Sequence, residues 1–369
     1  MPDQYEISPE VRALYESRGP FVSLYLDTTA AKEQGPEELA LRWRGLRDKA
    51  AGAEATGAAL DALDNIVDGS HRNGDGLIAF AAGDKIAHRR FLRRRPVDDG
   101  VHVGPLPHLI PLFEWAQDNP RYAVVLSDRT GAEIHVIGGR GEENQLVDVE
   151  GDHDELRKVQ PGGWSQRRFQ ARAEDSWEHN AKQVAEKLSE VVRSERLEFV
   201  LIAGDVRAVQ FLHEHLPKEL GSTAYELESE PNSINEIRDD IERTAASYSA
   251  STLEELLQRY QEERGQADLA TEGVERTLEA LRMSQVDTLL VGRDVPQMKA
   301  WFSPASLDQA ATDAQTLKDL GLDDVQEGDL VDVLVRSALG TGARVRVLPN
   351  LRQDQLPAEG VGALLRFRT

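Results

Sequence analysis

The chain has 369 residues and carries 65 Asp plus Glu against 43 Lys plus Arg, a formal net charge of -22 at pH 7. Its length predicts two or three domains, and its charge excludes a general attraction to nucleic acid, so any contact with phosphate must come from local basic patches. Cys is absent, which excludes disulfide frameworks, thiolate nucleophiles, zinc ribbons and iron–sulfur clusters.

In chain order, a short amphipathic helix is expected around Val11 to Ser17, followed by a strand at Phe21–Asp27 whose apolar residues alternate. Pro36, Glu37 and Glu38 mark a helix start, and the helical pattern continues past Trp43 to Val67, divisible into two helices. LIAFAA and KIAHRRFL predict a hairpin around Gly83-Asp84, and the Pro-rich stretch Val103–Leu112 closes this first region. Tyr122–Asp128 and Ala132–Gly139 predict a two-strand meander, with Gln145–Gly151 as a third strand. After a polar loop from Asp152 to Ser165, Phe169, Ala173, Trp177, Ala181, Val184, Leu188 and Val191 recur at helical spacing, which predicts a long helix returning to a buried strand at Leu197–Asp205.

From Leu197 to Gly265 there are 15 acidic and 6 basic side chains, and after Pro231 the pattern is helical; this reads as a solvated or bridging helix. Val274–Gly292 predicts a helix running into a buried strand. A helix near Leu330 to Ala338 and strands at Ala343–Pro349 and Gly360–Phe367 follow. The fold class is therefore α/β, as three α/β domains at 1–118, 119–265 and 266–369, the central one a mixed sheet with a long packed helix. The N-terminal sequence lacks a basic region followed by an apolar stretch, and no window of about 18 apolar residues occurs. A soluble cytoplasmic protein with no membrane partner is expected.

One stretch reverses the charge of its surroundings. Between Arg157 and Arg172 stand five basic residues (Arg157, Lys158, Arg167, Arg168 and Arg172) and no acidic one. Gly162 and Gly163 let the backbone adopt dihedrals closed to other residues and let a ligand approach the main chain. They precede a helix, whose first-turn N–H groups and positive dipole end favour an anion. Arg167, Arg168 and Arg172 oppose that dipole, so they do not act as helix stabilisers; an anionic partner would resolve the conflict. A flexible loop followed by a solvated basic turn is the plainer alternative.

A Gly-Gly pair followed within three residues by Gln, on a basic loop leading into a long helix behind a YAVVLSDRTGAEIHV meander, resembles the central domain of archaeo-eukaryotic class-I release factors. More closely it is similar to their bacterial relatives, the baeRF proteins, and to the Vms/Ankzf-type peptidyl-tRNA hydrolases. The resemblance implies three domains in a release-factor-like arrangement: an N-terminal domain facing the decoding region, a central domain presenting the loop, and a C-terminal L7Ae-like domain. It also implies that the loop enters the peptidyl transferase centre, where Gln166 helps place a water beside the peptidyl-tRNA ester and backbone N–H groups of Gly162 and Gly163 meet the oxyanion. Release factors have the glutamine directly after the glycines. Here Trp164 and Ser165 intervene, as in the looser Gly-x-x-Gln of the hydrolase branch.

Gln has no useful pKa, so such a loop acts only where substrate or ribosomal RNA handles the protons. Trp164 offers a ring for stacking on a base of a CCA tail, or else anchors the loop. A second basic run, Arg89, Arg90, Arg93, Arg94 and Arg95, predicts another RNA contact, the partners being ribosomal RNA and peptidyl-tRNA. The similarity to the Balon type of hibernation factor implies instead a non-enzymatic A-site occupant partnered by elongation factor Tu. No cofactor and no metal are expected. His213 and His215 are two apart and diverge on a helix, Asp152-His153-Asp154 reads as solvated loop, and the glycines at 138–141 and 204 lack a Walker lysine and serine. Delivery to the ribosome would therefore need a separate GTPase.

Overall fold

The computed structural model describes residues 9–17, 19–29, 35–68, 70, 73–92, 98–138, 145–150, 164–231, 233–266, 269–293, 295–352 and 355–367. Packing divides the chain into two compact units, one built mainly of Asn119–Ala250 and the other of Tyr5–Asp118 together with Ser251–Thr369. The architecture is mixed α/β with four separate sheets.

The first region holds α1 (Pro9–Arg12), β1 (Phe21–Asp27), α2 (Gly35–Gly52), α3 (Gly57–Val67), β2 (Gly76–Ala82), β3 (Lys85–Leu92), β4 (Gly100–Gly104) and α4 (Ile110–Asp118). Its antiparallel sheet has the order β3-β2-β1-β4. Alternation in β1 sends Val22, Leu24 and Leu26 toward Leu39, Trp43 and Leu63 of α2 and α3, while Phe21 and Tyr25 enter a second core on the opposite face. Thr56 caps α3 by accepting from the Ala59 N–H at 3.3 Å. The hairpin turn at Gly83 has φ +62°, a conformation that favours glycine. The Pro-rich closing stretch resolves into the end of β4 and the start of α4. Pro111 sits in the first turn of α4, where its missing N–H breaks no helical hydrogen bond.

The central region holds β5 (Tyr122–Ser127), β6 (Gly131–Ile137), β7 (Gln145–Glu150), α5 (Trp164–Glu195), β8 (Phe199–Gly204), α6 (Val206–His215), α7 (Lys218–Gly221), β9 (Ala224–Glu226) and α8 (Arg238–Gln266). The sheet order is β7-β6-β5-β8-β9, antiparallel through the meander and parallel from β5 to β9. Val184, Ala185, Leu188 and Val191 of α5 pack on Val125, Ile134, Val200 and Ile202. On the other face, Ile241 and Tyr248 of α8 cover Tyr122, Val124, Phe199 and Leu201. Of the two expectations for α8, a solvated or a bridging helix, the bridging one fits: it also gives Leu257 and Tyr260 to the other unit, where they pack with Leu290, Leu348 and Leu364. Its many acidic residues hide these few apolar positions, because two separate cores share one helix and neither stripe repeats along its length.

The last region holds β10 (Ala270–Glu272), α9 (Val274–Arg282), β11 (Val286–Val291), β12 (Lys299–Phe302), β13 (Ala310–Ala311), α10 (Ala314–Asp319), β14 (Gln326–Asp329), α11 (Leu330–Gly340), β15 (Arg344–Val347) and β16 (Val361–Leu365). One sheet is ordered β10-β16-β11-β15, and a small second one β13-β12-β14. Strands of two to four residues are too short to show a period, so the small sheet has no sequence signature. This region and the first share a core: Phe80, Leu109 and Phe113 cluster with Val333, Val345 and Val347. Gln117 ties the two by donating to the Val347 carbonyl at 3.1 Å and accepting its N–H at 2.8 Å.

Candidate functional site

The reversed-charge stretch leads into α5. Gly162, Gly163, Arg157 and Lys158 lie outside the described residues. Trp164, Gln166, Arg167, Arg168 and Arg172 all fall within α5, whose first residue is Trp164. The helix thus begins one residue before the end of the expected loop, because nothing after Gly163 breaks a helix. Gln166 is consequently a first-turn helical residue.

Where that end of α5 sits follows from its anchor. The C-terminal end of α5 leads into β8, so the helix runs back along the sheet against the direction of β5 and β8, and its N-terminal half passes their C-terminal ends. There Asn180 donates from Nδ2 to the Arg129 carbonyl at 3.1 Å, and the Arg129 guanidinium lies 4.6 Å from the ring centre of Trp177. Arg129 in turn pairs with Asp205 at 2.9 Å. Asp205 caps α6 by accepting the N–H groups of Arg207 and Ala208 at 3.0 and 3.2 Å. Burial pushes the Asp205 carboxyl up, but these N–H groups and the Arg129 charge outweigh it and hold it below its ordinary value. On the other side of the turn, Asp128 Oδ1 accepts from the N–H groups of Thr130 and Gly131 at 2.6 and 2.9 Å. The sixteen residues from Trp164 to Asn180 then carry the start of α5 about 24 Å past this anchor at 1.5 Å per residue.

The second basic run divides. Arg89 and Arg90 lie on β3, whereas Arg93, Arg94 and Arg95 lie outside the described residues. Arg89 is exposed. Arg90 is half-buried, with its guanidinium 4.9 Å from the ring centre of Trp115. His213 and His215 pair with separate carboxylates, Glu226 at 3.8 Å and Glu178 at 3.4 Å.

Sequence reasoning missed a cluster assembled from two distant parts of the chain. His102 on β4, His108 before α4 and Asp332 on α11 bring one donor atom each within 4.8 Å of one another. His108 Nδ1 is 2.8 Å from Asp332 Oδ1, and His102 Nε2 lies 3.4 Å from Asp332 Oδ2 and 3.2 Å from Asp329 Oδ2. Asp332 is only 2% exposed. Burial pushes its carboxyl up, yet the two imidazoles outweigh this and hold it below its ordinary value. A sequence signal could not have found the cluster, since His108 and Asp332 are 224 positions apart. No helix among the described residues is long and apolar enough to cross a membrane.

Residues 121–266 match the model of the bacterial archaeo-eukaryotic release factor family 2. Over 98% of its length the chain is 27% identical to 96% of the uncharacterized protein Rv2629 of Mycobacterium tuberculosis. Over 71% of its length it is 24% identical to 69% of peptide chain release factor subunit 1 of Methanocaldococcus jannaschii. Among solved structures it is similar to ribosome-bound archaeal Pelota, with 18% identity, 67% of this chain and 62% of that chain covered, and a TM-score of 0.41. The segment so matched holds α5 and its anchor, and over it the chain is similar to the bacterial archaeo-eukaryotic release factor family 2.

Proposed function

We propose that this protein is a ribosome-associated translation factor that occupies the A site and hydrolyses peptidyl-tRNA through Gly162, Gly163 and Gln166. The observation that carries the reading is the local reversal of charge in a chain of charge -22: Arg157, Lys158, Arg167, Arg168 and Arg172 lead into and open α5, the helix that Asn180 and Trp177 anchor to Arg129. A local cluster of cations suits contact with RNA phosphates, which the rest of an acidic protein repels. The family match and the named release factor relative support the same reading.

In this reading Arg157, Lys158, Arg167, Arg168 and Arg172 contact phosphates, and Trp164 stacks on the tRNA end. Gln166 orients a water toward the ester, and the N–H groups at the glycines receive the oxyanion. Arg89, with Arg93, Arg94 and Arg95 beyond the described residues, supplies the contact near the decoding region. A separate translational GTPase, such as elongation factor Tu, delivers the protein.

The test is incubation with ribosomes carrying labelled peptidyl-tRNA and an empty A site, with ester hydrolysis and co-sedimentation measured for wild type and Gln166→Ala. Release that disappears in the variant while binding persists supports hydrolysis. A second reading, an A-site plug of the hibernation type, draws on the placement of Gln166 in the first turn of α5 after Trp164 and Ser165, where the helical backbone constrains its reach. Binding without release in either protein would favour that reading, and absence of binding would refute both.

A further inference from the structure

We propose that His102, His108 and Asp332 bind one divalent transition-metal cation of zinc-like chemistry, which clips β4 and the approach to α4 onto α11. Two imidazoles and one carboxylate are a donor set suited to zinc, cobalt or nickel, whereas magnesium and calcium favour all-oxygen shells. In a tetrahedral site with bonds of about 2.1 Å, neighbouring ligand atoms stand about 3.4 Å apart. The separations of His102 Nε2 from Asp332 Oδ2 and Asp329 Oδ2 are 3.4 and 3.2 Å. The His108 Nδ1 to Asp332 Oδ1 separation of 2.8 Å needs to open by only about 0.6 Å to reach the same edge length.

His102 Nε2 is shielded from solvent and stands between two carboxylate oxygens, 3.4 Å from Asp332 Oδ2 and 3.2 Å from Asp329 Oδ2. Those separations match the ligand-to-ligand edge of a tetrahedral centre, so the nitrogen and both carboxylates face one point between them. The space beside it is kept by Gly104, where an added Cβ would stand 3.1 Å from this same nitrogen.

The surrounding groups hold the donors as metal sites require. The His108 backbone is fixed on both sides, its N–H donating to Ser23 Oγ at 3.0 Å and its carbonyl accepting from the Tyr25 hydroxyl at 2.5 Å. Asp332 is fixed by its burial on α11. Asp329 accepts from Lys299 Nζ at 2.5 Å through Oδ1, which leaves Oδ2 as a fourth ligand or as the acceptor for a metal-bound water. A divalent cation would add its charge to that of the imidazoles in compensating the buried Asp332 carboxylate. Because His108 and Asp332 are 224 positions apart, the cation closes a long loop, and its binding energy adds to folding.

The test uses the untagged full-length protein, stripped with a chelator and titrated separately with zinc, cobalt and magnesium chlorides. We expect one equivalent of zinc per chain, the visible absorption of four-coordinate cobalt, a zinc-dependent rise in Tm, and no response to magnesium. His102→Gln should weaken zinc affinity at least tenfold and abolish the Tm response, while His213→Gln leaves both unchanged. The proposal is overturned if folded wild type takes up no zinc, or if uptake survives undiminished in His102→Gln and His108→Gln. Should those variants fail to fold, the cobalt spectrum of wild type decides: no four-coordinate, nitrogen-ligated bands means no site, and the cluster is an ion-paired contact only.

Discussion

Replacing Asp205 should loosen the anchor of α5 by an amount the geometry sets. Its carboxylate accepts two backbone N–H groups at the start of α6 and pairs with Arg129. Loss of an N-cap costs about 1 kcal/mol. The ion pair is worth about 0.5 kcal/mol, because Arg129 is 49% exposed and water screens it. Asp205→Ala should therefore cost about 1.5 kcal/mol, and Asp205→Asn, which still caps, about 0.5 kcal/mol. Native-state hydrogen exchange at the amides of β8 and α6 measures both. The carboxyl is held below its ordinary value in the folded protein. Its contribution is therefore complete above the unfolded pKa of about 3.9 and disappears as pH falls through the folded value. The gap between wild type and Asp205→Asn should accordingly be constant from neutrality down to about pH 4 and close below it. Equal losses for the Ala and Asn variants near neutrality would refute the capping argument, and a gap unchanged in acid would refute the charge argument.

Gly204→Ala should be far more damaging, since φ is +131° and an added Cβ would lie 1.9 Å from the Ser127 carbonyl oxygen; soluble yield and urea midpoint would fall together, and a midpoint near wild type would refute this. Phe199 is 1% exposed between Tyr122 at 4.7 Å and Tyr248 at 4.2 Å. Phe199→Ala should cost about 3–5 kcal/mol in urea unfolding, and Phe199→Leu markedly less. If five cations of the α5 approach contact RNA, log affinity for ribosomes should fall with log salt with a slope near about -3.5, and neutralising Arg167 and Arg168 should flatten it by about 1.4. A slope unchanged in that double variant would place the RNA contact elsewhere.

Short-range physics made much of this protein legible without coordinates. The strand at Phe21–Asp27, the hairpin at Gly83, the β5–β6 meander and the long helix at Trp177–Val191 each announce themselves by period and turn chemistry, because those signals are complete within a dozen residues. The charge reversal between Arg157 and Arg172 is equally local, and it marked the approach to α5 as the place to look. The tertiary structure decided what depends on distant partners. It showed that α8, acidic along its length, serves two cores, and that Arg90 packs on Trp115 while Arg89 faces water. It fixed the middle of α5 at the turn after β5, where Asn180 and Trp177 meet Arg129. Above all it brought His102 and His108 to Asp332, a meeting that no spacing rule could have found, since chain folding rather than sequence proximity supplies it.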